Sequence, residues 1–176
     1  MFLKAKFWSA AVLVLCALLG ITRSAQGRQC DGNRGRDFRN QNNNLTISTT
    51  ALAFGVYDPT NTTAATSTIS IIAQCNKSSD TLPPLSIAIN AGDSGSFSTR
   101  HMNGTGSAAG ATLNYQLFSN VSDTTIWGDG TGGTTTVSGG AGSSYSQIFV
   151  GYGVMPTGQY TTAGSYSDTL IVTVTY

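Results

Sequence analysis

His101 is the only histidine in the chain, so a Ser–His or Cys–His nucleophile would have to work through it. It stands between Arg100 and Met102, just before Asn103, Gly104, Thr105 and Gly106, a composition that reads as loop and offers a catalytic base no rigid support. Arg100 reads as a structural cation, anchoring a loop through backbone carbonyls or a nearby aspartate. Glycosidase-type chemistry needs paired carboxylates, but every acidic residue here is an aspartate and none stands in a recognisable pair. Asp123 and Asp129 lack both EF-hand spacing and a surrounding acidic cluster. Gly104 and Gly106 followed by Gly110 miss the dinucleotide spacing by one residue, and residues 130–133 contain no lysine for a phosphate cradle. These residues make no catalytic centre and no cofactor or metal site, and the expectation is a protein that is not an enzyme. Trp127, Tyr152 and Tyr160 could stack on sugar rings, which gives the alternative function of a surface adhesin or glycan-binding module. The competing reading has Trp127 ending a strand and packing, with the tyrosines in turns and core.

Two of the three cysteines matter for the folded protein. Lys4 and Lys6 precede an apolar run over residues 10–21, and Ala25, Gln26 and Gly27 supply small residues at signal-peptidase spacing. The run is shorter than the roughly 20 residues that span a bilayer, so residues 1–27 read as a cleaved signal peptide rather than a stable membrane anchor. Cys16, preceded by Leu15, goes with the removed peptide. Cys30 and Cys75 remain, and an even pair in an exported chain points to one disulfide. A metal site would need more ligands than two distant cysteines and one histidine. The expected location is the periplasm, then the cell surface or beyond.

Residues 28–176 carry six basic and eight acidic side chains, with no glutamate. That balance leaves no basic stripe for nucleic acid. Residues 28–44 hold an Arg cluster, several asparagines and a single aromatic, Phe38, and are expected to form a polar, mobile arm tethered at Cys30. The remainder shows short β-type runs between Gly, Asn, Asp and Ser turns. In residues 45–54 apolar parity switches from Leu45 and Ile47 to Leu52 and Phe54, which predicts a break near Thr49 and Thr50. Ile69, Ile71, Ala73 and Cys75 share one face of the next run; Leu85, Ile87 and Ile89 follow, then Leu113, Tyr115 and Leu117. After a Gly-rich stretch come residues 145–150 and a final strand within residues 164–176. There Leu170, Val172, Val174 and Tyr176 point one way, and Thr169, Ile171, Thr173 and Thr175 the other. Six to seven such strands predict an all-β, immunoglobulin-like sandwich over residues 45–176. An edge as bare as the last strand asks for a partner.

An ordered set of local signatures resembles the spore coat protein U domain family and the closely similar archaic chaperone–usher pilus subunits. They are Leu52-Ala53-Phe54-Gly55-Val56-Tyr57, Cys75, Arg100-His101-Met102, Leu113-Asn114-Tyr115-Gln116-Leu117, Trp127-Gly128-Asp129, Gly151-Tyr152-Gly153 ahead of Pro156 and Gln159, and residues 164–176 with Asp168. The resemblance implies a sandwich lacking its final strand, which a periplasmic chaperone supplies first and a neighbouring subunit, assembled at an outer-membrane usher, replaces. It also implies a Cys30–Cys75 disulfide, although the family's first cysteine usually lies near the position of Leu45. Leu170, Val172, Val174 and Tyr176 become the expected strand-acceptor edge. Phe54, Gly55, Tyr57, Arg100, Met102, Tyr115, Trp127, Gly128, Gly153 and Asp168 become the residues of the family motif. The polar arm stands where such pilins carry an apolar donor segment, so this chain is expected to accept a strand and not to donate one.

Overall fold

The computed structural model describes residues 12–14, 30–32, 45–140 and 144–176; most of the expected signal peptide and of the expected polar arm lies outside the described residues. In chain order the strands are β1 (Val12–Val14), β2 (Asp31–Gly32), β3 (Leu45–Thr49), β4 (Gly55–Tyr57), β5 (Ala65–Cys75), β6 (Asp80–Thr81) and β7 (Leu85–Ile89). There follow β8 (His101–Thr105), β9 (Thr112–Asn114), β10 (Gln116–Phe118), β11 (Val137–Gly139), β12 (Ser146–Met155), β13 (Ser165–Ser167) and β14 (Val172–Thr175).

They form a five-stranded sheet in the order β4-β1-β13-β8-β9, a four-stranded sheet β10-β12-β5-β3, a three-stranded sheet β11-β7-β14, and the small pair β2-β6. The longest ladder is antiparallel, from Ser146 opposite Gln74 to Met155 opposite Ala65. Its inner face follows the period-two rule: Ile69, Ile71, Ala73 and Cys75 of β5 are buried, as are Phe149 and Met155 of β12. Between the last two, Gly153 leaves room for another layer. A Cβ there would stand 2.7 Å from Leu52 Cδ1 and 2.9 Å from Phe54 Cζ, so the two apolar residues of the 50–54 break pack directly on the β12 backbone.

Three runs change sheets partway, and this explains why the segments outnumber the six or seven strands expected. Residues 45–57 leave the four-stranded sheet as β3 and enter the five-stranded one as β4. Residues 112–118 pass from β9 to β10 through Tyr115, and residues 165–175 pass from β13 to β14 through 168–171. With these runs counted as continuous, the sandwich has 45–57, 65–75, 85–89, 101–105, 112–118, 146–155 and 165–175, plus short pieces.

The structure corrects several expectations. His101 lies in a strand, β8, held on both sides by β9 and β13, although only Met102 in that strand is apolar and buried. Two ladders override weak local propensity there. β11 forms inside the Gly-rich stretch and pairs with β7, and the strand begun near Tyr145 runs on to Met155. Asp31 and Gly32, assigned to the polar arm, pair with Thr81 and Asp80. The cause is covalent: Cys30 is buried and disulfide-bonded to Cys75, their Cα atoms 5.8 Å apart, which holds the next residues beside β6.

That bond closes a loop of about 46 residues, worth about 4 kcal/mol on the chain-entropy estimate. Replacing both cysteines by alanine is expected to lower the unfolding free energy by about that amount in urea titration. A loss below about 1 kcal/mol would mean that residues 30–32 are held without the bond.

Candidate functional site

Two features come together at one end of the sandwich, a buried polar node and a slot in the five-stranded sheet. The node begins with Asp168, the residue at which the last run leaves β13. Its Oδ2 accepts the Tyr115 hydroxyl at 2.5 Å, and its Oδ1 accepts the Asp93 and Thr169 amides, each at 2.7 Å. Tyr115 is itself the residue at which the 112–118 run changes sheets, and its ring lies 6.0 Å from that of Phe54, at the third such corner. All three residues are buried. The backbone beneath the carboxylate must be bare: Gly92 has φ +72°, and a Cβ there would sit 2.1 Å from Asp168 Oδ2.

Arg100 lies nearby with 0% exposure. One guanidinium nitrogen donates to the carbonyls of Trp127 at 2.7 Å and Asn90 at 2.9 Å, and the other to Gln116 Oε1 at 3.0 Å. Burial pushes its pKa below the ordinary value, while the Tyr115 and Asp168 charges pull it back up. Arginine keeps its proton under any such shift. Its Nε has no hydrogen-bond partner among the described residues, and the Phe97 ring lies 5.2 Å from the guanidinium carbon. The anchoring role expected for Arg100 is therefore carried by carbonyls.

Other motif residues are structural in the same sense. Met102 is fully buried and pairs across from Leu113. Trp127 is fully buried with its indole N–H on the Ile87 carbonyl at 3.0 Å, so its faces are closed to a sugar. Gly128 accepts the Ile89 amide at 3.1 Å and donates to Thr135 at 3.0 Å, holding the Trp127 segment to β7. The Tyr57 hydroxyl donates to the Pro156 carbonyl at 2.8 Å and accepts the Gln159 amide at 2.9 Å, tying β4 to the turn after β12. Asp129 serves its own turn, accepting both the amide and the hydroxyl of Thr131, and these bonds lower its pKa.

The slot lies between β4 and β13, which do not pair with one another: β1 stands between them. It is antiparallel to β4, with Val12, Leu13 and Val14 opposite Tyr57, Val56 and Gly55. It is parallel to β13, with Leu13 and Val14 opposite Ser165 and Tyr166. Tyr57 and Tyr166 are buried, whereas Val56 is 58% exposed. A strand in this register therefore alternates between core-facing positions opposite the tyrosines and an outward position opposite Val56 and Ser165. A gap one strand wide measures about 10 Å between its flanking strands.

Downstream of β13, Leu170 is fully buried, and Val172, Val174 and Tyr176 are half-buried against the core. Ile171, Thr173 and Thr175 are exposed, in agreement with the alternation read from the sequence. β14 pairs with β7 and ends the three-stranded sheet. Its apolar residues thus lie on one face along the continuation of the slot. Nothing in the sequence indicated that residues 12–14 join the sheet or that Gly92 supports the node: the first reads as a leader, the second as an ordinary turn. Among the described residues no helix is long and apolar enough to cross a membrane.

The node makes a definite demand on stability. Tyr115→Phe is expected to cost about 1.5–3 kcal/mol, the value of a hydrogen bond to a charged group. Asp168→Ala is expected to cost about 3–5 kcal/mol, since it also leaves Arg100 buried without its counter-charge. Urea denaturation of both variants and the double mutant should show non-additivity; strict additivity would mean the two residues do not act as one unit.

The Spore Coat Protein U domain model matches residues 24–173. No curated protein matches the chain. Among solved structures, the chain is similar to one in the crystal structure of the CsuC–CsuE chaperone–tip adhesion subunit pre-assembly complex from archaic chaperone–usher Csu pili of Acinetobacter baumannii. The identity is 22%, over 76% of this chain and 39% of that one, with a TM-score of 0.50, so the likeness is one of fold. The match covers well under half of that solved chain. With a family model that spans most of its length, the chain belongs to the Spore Coat Protein U domain family.

Proposed function

We propose that the protein is an exported structural subunit of a surface assembly, a pilus or a coat, whose sandwich accepts a β-strand donated first by a periplasmic chaperone and then by a neighbouring subunit delivered through an outer-membrane usher. The observation that carries this reading is the slot between β4 and β13, one strand wide and bounded on its core side by Tyr57 and Tyr166. Continued in the parallel register beyond Tyr166, a strand in the slot would run along residues 168–176, past Leu170, Val172, Val174 and Tyr176. Backbone hydrogen bonds would supply the affinity, and the inward positions the fit. The similar solved structure is a chaperone–tip adhesion subunit pre-assembly complex, which supports a chaperone as the first partner.

The segment 28–44 offers Phe38 as its only large apolar side chain, so it cannot fill a slot of this kind on another subunit. A one-sided acceptor belongs at the tip of a fibre, or in a coat that does not polymerise head to tail. A glycan-binding role loses its strongest candidate with the burial of Trp127, although Tyr160 remains 79% exposed.

Purified chain lacking residues 1–27 should show a higher melting temperature with peptides copying donor segments of co-encoded subunits. The acceptor reading fails if no peptide raises it and the protein alone is already a stable monomer. Val172→Asp is expected to abolish capture or folding, because it puts an unpaired charge against the core, whereas Thr173→Ser, on the exposed face, should change neither.

A further inference from the structure

Among the described residues, the sheet edges other than β3 are short, closed or next to the slot. β4, β9, β10 and β11 are three residues each, and β2 and β6 are two. Gln159 closes the β9 edge: its side chain accepts the Asn114 amide at 2.7 Å and donates to the Asn114 carbonyl at 2.9 Å. Residues 125–127 close the β10 edge, with the Trp127 amide on the Leu117 carbonyl and the Ser119 amide on the Thr125 carbonyl, each at 2.9 Å. β14 follows the continuation of the slot. β3 is different. It ends the four-stranded sheet as a five-residue strand, LTIST, in unbroken register with β5 and without a charge, a proline or a bulge. Those are the devices that keep an edge from pairing with another chain.

The ladder fixes which groups the edge presents. The Thr50 amide donates at 3.0 Å to the carbonyl of Ser70, so Thr50, Ser48 and Thr46 turn their backbone groups toward β5. On the other side of β5, the Cys75 amide donates to the Tyr145 carbonyl at 2.8 Å, which turns the odd-numbered residues of β5 toward β12 and agrees with that phase. Leu45, Ile47 and Thr49 therefore point their N–H and C=O groups away from the sheet, where none of the described residues meets them. This edge is self-complementary. A two-fold axis through Ile47 sets it against Ile47 of a second copy, Leu45 against Thr49, and Thr46 against Ser48. The outward-pointing residues then exchange about six backbone hydrogen bonds, while the Thr46 and Ser48 hydroxyls face each other on the exposed side. Leu45 and Ile47, half-buried against the core, gain apolar neighbours, and no charge enters the contact.

We infer that two copies of this chain pair antiparallel through β3, joining their four-stranded sheets into one continuous sheet. The contact lies outside the slot between β4 and β13, so it does not depend on the acceptor reading. Five residues a side make a contact below the size of stable interfaces, and free copies should dimerise with a dissociation constant on the order of 100 µM. Copies gathered in one assembly at an effective concentration on the order of millimolar would be paired.

The test uses the full chain, exported by a bacterial host with its own N-terminal segment. Sedimentation equilibrium at up to about 500 µM should show a monomer–dimer equilibrium. Thr46→Lys combined with Ser48→Lys sets like charges opposite one another and should weaken the dimer about tenfold or more. Thr46→Glu combined with Ser48→Glu should do the same, and an equimolar mixture of the two variants should recover it. Both positions are exposed, so the melting temperature of each variant should stay near that of the parent. A chain that is monomeric at about 500 µM, a dimer indifferent to the lysines, or a mixture that stays monomeric overturns the proposal. A second measurement does not rely on charge. Oxidation of mixed Thr46→Cys and Ser48→Cys chains should link position 46 of one copy to position 48 of the other, as read by non-reducing peptide mapping. Links between two 46 positions or two 48 positions should be several-fold rarer, because in this register those positions are diagonal neighbours about 7–8 Å apart, beyond disulfide reach. Equal yields of all three links mean another register or mere collision, and also overturn the proposal.

Discussion

The carboxylate of Asp168 holds the open end of this sandwich together. A buried carboxylate is tolerated only when its oxygens are hydrogen-bonded, and here they take the Tyr115 hydroxyl and the amides of Asp93 and Thr169. The bond to Tyr115 joins two places where the chain leaves one sheet for another, and the Phe54 ring brings the third against Tyr115. Strands that switch sheets break their own ladders, so each corner has backbone groups and side chains that no ladder orients. The node supplies that orientation from a single point. Gly92 completes it by letting the 92–94 turn come close enough for the Asp93 amide to reach the carboxylate.

Arg100 extends the node toward the other loops. Its donors hold the carbonyls of Asn90, at the end of the β7 run, and of Trp127, before the glycine-rich segment. Desolvation of a guanidinium is costly, and hydrogen bonds together with the nearby Asp168 charge offset it. The consequence is asymmetric. The charged groups contribute little beyond what an apolar core would give while all are present, yet removing one leaves another dry and uncompensated.

The apolar faces were legible in the sequence because they follow period two: residues 69–75, 85–89 and 113–117 bury the side chains their alternation assigns inward, and 170–176 bury Leu170 fully and Val172, Val174 and Tyr176 in part. The parity switch between Leu45–Ile47 and Leu52–Phe54 likewise marked a true corner. What the pattern could not carry was pairing over distance. Asp168 lies 53 residues from Tyr115 and 75 from Asp93, and no local signal links them. β8 and β11 are too polar or too short to alternate, and become strands because neighbours with strong patterns pair with them. Trp127 was ambiguous for a related reason: its type suits a sugar platform or a core, and only the Ile87 carbonyl waiting for its N–H decides for the core.

Tyr115, Asp93 and Thr169, which donate to the Asp168 carboxylate, lie outside β1, and so do the Tyr57 bonds to the 156–159 turn. The walls of the slot are therefore braced from behind by these bonds as well as by the strand paired between them. Such bracing is what the proposed acceptor role requires, since there one strand must be exchanged for another. An occupant contributes backbone hydrogen bonds and side chains at its inward positions, and its departure leaves the three corners tied. The register that places an occupant opposite Tyr57 and Tyr166 asks only for apolar residues at alternate positions, a requirement that many extended segments meet. With composition so permissive, an occupant that displaces another must bring more paired length than the three residues of β1.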